Sequence, residues 1–224
     1  VIRILIVDDH AMFREGLKQI LAKHSDMRVV DEASSGQEVI AKILQQKLDV
    51  VLLDISLPGR SGPGLLTEIR KLKPELAVLV LSMHPEDQYA VRMMKAGALG
   101  YITKESAPEE LISAIRKVST GRRYISSKLA DEMAVALETD TPKLPHLRLS
   151  NREFEVMRML ASGKSLKDIA AELSISEKTV TTYRARILEK MNLHNNVELT
   201  LYALENKLLP WYLFLGDQDH FTRE

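Results

Sequence analysis

Over residues 1–120 the apolar positions change rhythm again and again. Short β-branched runs at 2–7, 29–31, 50–53, 78–81 and 100–103 alternate with segments of helical period near 11–22, 37–46, 62–71, 86–96 and 108–119. Strands that alternate with helices predict a parallel sheet with helices on both faces. Three of the runs are nearly all apolar, as strands covered on both sides require. Five strands and five helices fit one doubly wound α/β domain with a five-stranded parallel sheet, and no internal repeat is visible.

Beyond residue 120 the texture differs. Residues 126–138 have a helical period, whereas 139–146 hold two prolines and no apolar period. Proline lacks the donor and the geometry to extend a helix, so that stretch is expected to be a linker. From Ser150 onward the pattern is all helical. Ser150-x-x-Glu153 is a capping box that starts one helix, and Ser165-x-x-Asp168 resembles a second. Ser176, and then Asn195 and Asn196, precede two more helices. The predicted division is an α/β domain at 1–120, a linker containing a helix at 121–147, a small all-α domain at 148–209 and a C-terminal tail at 210–224.

A length of 224 residues suits two ordinary domains, and 45% hydrophobic with 28% charged residues describes a folded, soluble chain. The absence of cysteine excludes disulfides and thiolate metal sites, and fits a reducing compartment. No apolar run approaches the roughly 20 residues that a membrane span needs. Net charge is zero. Residues 1–120 carry 16 Lys and Arg against 16 Asp and Glu, and residues 148–209 carry 10 against 8. A nucleic-acid partner must therefore be argued from where the charges sit.

Polar residues cluster at the strand ends. Asp8 and Asp9 follow the first predicted strand, Asp54 the third, Ser82 the fourth and Lys104 the fifth. Doubly wound sheets bind ligands beyond the carboxyl ends of their strands, where strand order reverses. With strands one and three as neighbours, the three carboxylates converge there and demand a cation. Oxygen donors point to Mg²⁺ or Mn²⁺. A lysine and a hydroxyl aimed at the same crevice suit a phosphoryl group carried on one carboxylate. Singly, each residue has a plainer reading: Asp9 as a helix cap, Lys104 as a solvated lysine, Ser82 as a turn residue. Their joint occurrence carries the weight.

Four stretches together resemble the receiver domain of bacterial response regulators: Val-Asp-Asp-His at 7–10, Leu-Leu-Asp-Ile-Ser-Leu-Pro-Gly at 52–59, Leu-Ser-Met at 81–83 and Lys-Ala-Gly-Ala-Leu-Gly-Tyr-Ile-Thr-Lys at 95–104. The resemblance implies that Asp54 accepts phosphate from a sensor histidine kinase. It implies that Asp8 and Asp9 hold Mg²⁺ together with the Asp54 carboxylate and the Ser56 backbone carbonyl. It makes Ser82 and Tyr101 a switch pair, with the Tyr101 ring turning inward as Ser82 moves to the phosphate. Such a chain is no turnover enzyme; it carries the phosphoryl group on its own Asp54 and loses it by autodephosphorylation. Glu105 stands where many receivers have a cis proline, so no cis bond is expected. His84 sits at a position that varies in the family, and its plain reading is a surface histidine. A rival enzymatic reading, the haloacid-dehalogenase-type phosphatases, needs a second Asp where this chain has Ser56.

Within residues 165–191, Leu166, Ile169, Ala170, Leu173, Ile175, Val180, Ile187, Leu188 and Met191 outline a short helix, a turn and a longer helix. Val180, Ile187, Leu188 and Met191 share one face of the longer helix. At about 100° per residue the opposite face shows Lys178, Thr182, Ala185 and Arg186, with Thr181 at its edge. Cations, hydroxyls and a small methyl suit phosphates and base edges in a major groove; a solvated amphipathic face is the plainer reading. The stretches 149–156, 165–170, 175–183 and 187–191 resemble the LuxR-type helix-turn-helix of the NarL/FixJ response regulators. Three departures stand out: Leu166 for a frequent Asn, Tyr183 for a frequent His and Thr181 for a common Lys. The last predicts a shallow salt dependence. The resemblance implies double-stranded DNA as partner, in the form of an inverted repeat, and a homodimer on activation. RNA polymerase is a further candidate partner, no membrane is implied, and the expected compartment is the cytoplasm. The helix predicted at 195–206 is expected in the core and at a dimer surface. Trp211, Tyr212, Phe214 and Leu215 are expected to pack onto the helical domain, with a partner contact as the alternative. A module that binds protein or RNA remains the alternative for that domain.

Overall fold

The computed structural model describes residues 1–57, 62–83, 86–127, 129–131, 144–206 and 208–209. The chain falls into two compact units, Val1–Thr141 and Pro142–Glu224.

The first unit alternates strand and helix throughout: β1 (Ile2–Val7), α1 (Ala11–Leu21), β2 (Met27–Ala33), α2 (Gly36–Gln45), β3 (Val50–Asp54), α3 (Gly62–Leu72), β4 (Ala77–Ser82), α4 (Glu86–Ala96), β5 (Gly100–Thr103) and α5 (Pro108–Val118). The strands form one parallel sheet in the order β2-β1-β3-β4-β5. One core layer joins Ile4, Ile6, Leu52, Leu79, Leu81 and Ile102 of the sheet to Leu17 and Leu21 of α1 and to Leu111, Ile112 and Ile115 of α5. The strand period of two sends Val80 and Tyr101 to the opposite face, where α4 packs on β5. From β1 the chain steps outward to β2 and then crosses back to β3 on the other side. The order therefore reverses between β1 and β3, and the crevice opens at their carboxyl ends.

Three strands differ in extent from the sequence pattern. Asp54 and Ser82 are the last residues of β3 and β4 rather than the residues after them, because pairing continues through Asp54↔Leu81 and Ser82↔Thr103. β2 extends well beyond 29–31, to Met27–Ala33. As an edge strand it carries Asp31 and Glu32, whose charges are met by Lys42, Arg14 and Lys18. Those polar positions break the apolar alternation that marks a strand in sequence. After α5, Tyr124 bridges to Gly100 in parallel fashion, and its hydroxyl donates to Glu110 Oε1 at 2.8 Å. A Cβ on Gly100 would meet Leu79 Cδ1 at 2.8 Å and Tyr124 Cβ at 3.0 Å, so this close approach requires glycine. The helix predicted at 126–138 begins as expected, with Ser126 Oγ accepting from Leu129 N–H at 3.1 Å. Residues 132–138, residues 139–143 of the linker predicted at 139–146, and His84 lie outside the described residues.

The second unit opens on a 3₁₀ turn (Pro145–Arg148), followed by α6 (Asn151–Ala161), α7 (Leu166–Glu172), α8 (Glu177–Met191) and α9 (Asn196–Glu205). His146 of that turn is buried, with Nδ1 2.8 Å from the Tyr202 hydroxyl. Each helix start is capped by the residue the sequence singles out. Ser150 and Glu153 form the full capping box, and Ser165, Ser176 and Asn195 accept from the backbone of Asp168, Thr179 and Glu198. At the second site, Ser165 Oγ lies 2.5 Å from Asp168 Oδ2, so that carboxylate meets the serine hydroxyl. The turn between α7 and α8 closes through Ile175 N–H on Ala170 O at 2.9 Å, with Ser174 left-handed at φ 53°. α6 packs against α7, α8 and α9, and α7 packs on α8. Val180, Ile187, Leu188 and Met191 point into this core with Phe154, Met157, Leu160, Ile169, Leu199 and Ala203. Glu153 is buried and receives Lys190 Nζ at 2.7 Å, which clamps the start of α6 to the end of α8. The predicted tail contacts of Trp211, Tyr212, Phe214 and Leu215 lie outside the described residues. Among the described residues, no helix is long and apolar enough to cross a membrane.

Candidate functional site

The crevice at the ends of β1 and β3 gathers the predicted acids. Ligand atoms of Asp8, Asp9, His10 and Asp54 all lie within 4.8 Å of one another. Asp8 and Asp54 are each 1% exposed, whereas Asp9 and His10 are open to solvent. β5 delivers Lys104 to the same place, because its backbone N–H donates to Ser82 O at 2.8 Å and so continues the ladder past the strand end. The Lys104 side chain is 5% exposed and reaches both Asp54 Oδ2 and Asp8 Oδ2 at 2.6 Å. Burial works against its charge, yet the facing carboxylates of Asp54 and Asp8 outweigh that and hold its pKa above the usual lysine value. The Phe13 ring, 4.6 Å below the ammonium, adds a cation–π contact.

The carboxylates keep acceptor capacity in hand. Asp54 Oδ1 accepts the Ser56 backbone N–H at 2.8 Å, and Oδ2 takes Lys104. Asp8 Oδ1 accepts the His10 backbone N–H at 2.8 Å. The contact of Asp8 Oδ2 with Lys104 is close but not directed as a hydrogen bond, which leaves this buried oxygen without one. Carboxylates of Asp8, Asp9 and Asp54 converging within 4.8 Å, with Asp9 open to solvent, form a donor set that fits a divalent metal ion.

Ser82 and Tyr101, the predicted switch pair, sit beside this pocket. Tyr101 pairs with Val80 across the ladder, and Ser82 lies two residues further along β4 on the same face. Ser82 is fully buried and Tyr101 is 1% exposed. Burial raises the Tyr101 pKa strongly, and a hydrogen bond with Ser82 acts in the other direction. The Tyr101 ring is turned into the protein. α4 begins only four residues after Ser82, and Glu86 at its start accepts the Ser126 hydroxyl through Oε2 at 2.5 Å.

In the second unit, Lys178, Thr181, Thr182, Ala185 and Arg186 are all exposed on α8, opposite its buried face. The hydroxyls of Thr181 and Thr182 donate to Glu177 O at 2.9 Å and Lys178 O at 3.0 Å. Their protons are thus bonded within the helix, and the outward side offers methyls and lone pairs. Glu189 shares the exposed row and tempers its positive charge. Arg184 is turned aside, donating to Asn196 Oδ1 at 2.7 Å.

The sequence reading missed three residues of the pocket. Phe13 supports Lys104, Arg14 donates to the Asp8 carbonyl at 2.7 Å, and His10 Nδ1 lies 2.8 Å from Asp9 Oδ1. Position alone marks them: they occupy the cap and first turn of the helix that follows the acidic pair.

Comparison with known proteins agrees with this arrangement. Residues 4–116 match the response regulator receiver domain, and residues 147–203 match the bacterial regulatory proteins of the luxR family. The chain is 38% identical to the response regulator UvrY of Escherichia coli over 208 residues, covering 92% of this chain and 95% of that one. It is 40% identical to the oxygen regulatory protein NreC of Staphylococcus epidermidis, covering 93% of this chain and all of that one. RcsB of Salmonella enterica serovar Typhimurium, solved bound to a promoter in the presence of the phosphomimetic BeF₃⁻, shares the fold at a TM-score of 0.71 and 24% identity, over 90% of this chain and 97% of that one. Acid pocket and helix-turn-helix thus converge with sequence similarity along nearly the whole chain: the protein belongs to the bacterial response regulators of the NarL/FixJ family, which join a receiver domain to a LuxR-type DNA-binding domain.

Proposed function

We propose that Asp54 is the phosphoacceptor and that its phosphorylation by a sensor histidine kinase controls binding of α8 to a DNA operator. The observation that carries this reading is the buried Asp54 carboxylate held between Lys104 at 2.6 Å and the Ser56 N–H at 2.8 Å, at the edge of an acidic cluster. In this reading a carboxylate oxygen of Asp54 attacks the phosphorus of a phosphohistidine in line. The P–N bond breaks, and the imidazole leaves with its electron pair and takes up a proton. Mg²⁺ or Mn²⁺ held by Asp8, Asp9, Asp54 and the Ser56 carbonyl would neutralise charge on the transferring group. Lys104 binds a phosphoryl oxygen. Ser82 exchanges its bond with Tyr101 for another of those oxygens, which draws on the start of α4. The Ser126–Glu86 bond and the Tyr124–Gly100 bridge join that surface to the segment leading out of the receiver, which supports α4, β5 and the linker as the route of the signal.

We place the receiver at 1–120, a linker with a helix at 121–147, the DNA-binding domain at 148–209 and a tail at 210–224. Lys178, Thr181, Thr182, Ala185 and Arg186 are the DNA contacts of this reading, and their joint exposure supports it. A homodimer on an inverted repeat, in the cytoplasm, completes it, with the phosphoryl group lost by autodephosphorylation rather than turned over on an external substrate. The test is intact mass after incubation with Mg²⁺ and a small acyl phosphate. One added phosphoryl group in wild type and none in Asp54→Asn is expected; equal labelling of both would sink Asp54 as acceptor.

A further inference from the structure

We infer that His10 is a metal ligand of the acidic centre and makes it selective for a first-row transition ion over Mg²⁺. The inference rests on the proposal that this pocket binds a divalent cation. His10 is the N-cap residue of α1, yet its side chain makes no capping bond to the helix. Its backbone N–H instead donates to Asp8 Oδ1 at 2.8 Å, which pins the residue at the pocket mouth. The exposed imidazole lies against the acids there, with Nδ1 at 2.8 Å from Asp9 Oδ1 and 3.2 Å from Asp8 Oδ1. A ring nitrogen lying between two carboxylates faces the place where a cation would be held. Its ligand atom falls within the same 4.8 Å envelope as those of Asp8, Asp9 and Asp54. The ring is 68% exposed, so it turns onto an ion without repacking the core.

The chemistry separates this centre from an all-oxygen one. Mg²⁺ prefers oxygen donors in near-ideal octahedral geometry and keeps its waters. A neutral imidazole is a borderline donor that adds affinity for Mn²⁺, Fe²⁺, Co²⁺ or Ni²⁺ in rising order and little for Mg²⁺. His10 would thereby set which ion loads the receiver when several compete.

The test uses metal-free full-length protein and three probes: Mg²⁺ and Co²⁺ by calorimetry, and Mn²⁺ by electron spin-echo spectroscopy. Wild type, His10→Ala and Asp9→Asn are compared, with circular dichroism as the fold control. Expected is a ¹⁴N coupling on bound Mn²⁺ in wild type that disappears in His10→Ala. The preference for Co²⁺ over Mg²⁺ should also fall by about tenfold in His10→Ala, while Mg²⁺ affinity stays close to wild type. Mn²⁺ bound to wild type without nitrogen coupling, or an unchanged Co²⁺ to Mg²⁺ ratio in His10→Ala, overturns the role of His10 and leaves the cation site standing. Failure of all three ions to bind wild type, or binding unaffected by Asp9→Asn, overturns the cation site itself and His10 with it.

Discussion

Lys104 is the residue on which the pocket balances. It is the ammonium that faces two buried carboxylates at 2.6 Å. Removing one partner of a buried pair leaves uncompensated charge and costs about 3–5 kcal/mol. Lys104→Met should therefore lower the thermal stability of the receiver in metal-free buffer by about 3 kcal/mol. Millimolar Mg²⁺ should recover part of that loss, because a cation replaces the missing charge. A thermal melt with and without Mg²⁺ reads both effects, and a variant as stable as wild type in metal-free buffer would contradict the electrostatic account. The residues of this pocket were unevenly legible in sequence. Asp8, Asp9, Asp54 and Lys104 declare themselves by following or ending strands. His10, Phe13 and Arg14 act through the orientation of the first turn of α1 over the crevice, and that orientation comes from packing, not from spacing.

At the scale of elements, two joints invite measurement. Glu153 ties α6 to α8 through Lys190 and completes a capping box with Ser150. Burial pushes its pKa up, but Lys190 and the Ser150 bonds prevail and hold it below the ordinary 4.5. A depressed carboxyl stabilises the fold above its unfolded pKa and loses that contribution as pH falls through the folded value. Glu153→Ala should thus destabilise the helical domain by about 2 kcal/mol at neutral pH, the cap contributing about half. The penalty should shrink below pH 4.5. Hydrogen exchange of the α6 and α8 amides in the full chain reports it, and a pH-independent difference would remove the carboxylate from the explanation. The second joint is Ser126 on Glu86. Ser126→Ala should leave labelling of Asp54 intact while cutting the gain in DNA affinity on phosphorylation by about fivefold. An unchanged gain would take this bond out of the signalling route. The helix caps were readable because Ser, Asp and Asn at helix starts act locally. The full extent of β2 was not, because an edge strand satisfies Asp31 and Glu32 through partners distant in sequence.

Over the whole molecule, the two units present two surfaces: an acidic pocket at the strand ends, and a helix face of modest charge. Lys178 and Arg186 are the cations on the outward face of α8, and Glu189 lies among them. DNA binding should accordingly show a shallow salt slope, and Arg186→Ala should reduce its magnitude by about 1 per protomer. An unchanged slope would place Arg186 away from the phosphates. The alternation of strand and helix and the helix-turn-helix were both legible in sequence, since each rests on periodicity. The structural route from phosphorylation to DNA binding was not, because it depends on a difference between two states of one chain. The most direct test is a fluorescence anisotropy titration of DNA from the protein's own upstream region, with Mg²⁺, with and without a small acyl phosphate, for wild type and Asp54→Asn. The account predicts at least about tenfold tighter binding on phosphorylation of wild type, worth ~1.4 kcal/mol, and no change for Asp54→Asn. Equal affinity of wild type under both conditions, with Asp54 shown by mass to be phosphorylated, would contradict it.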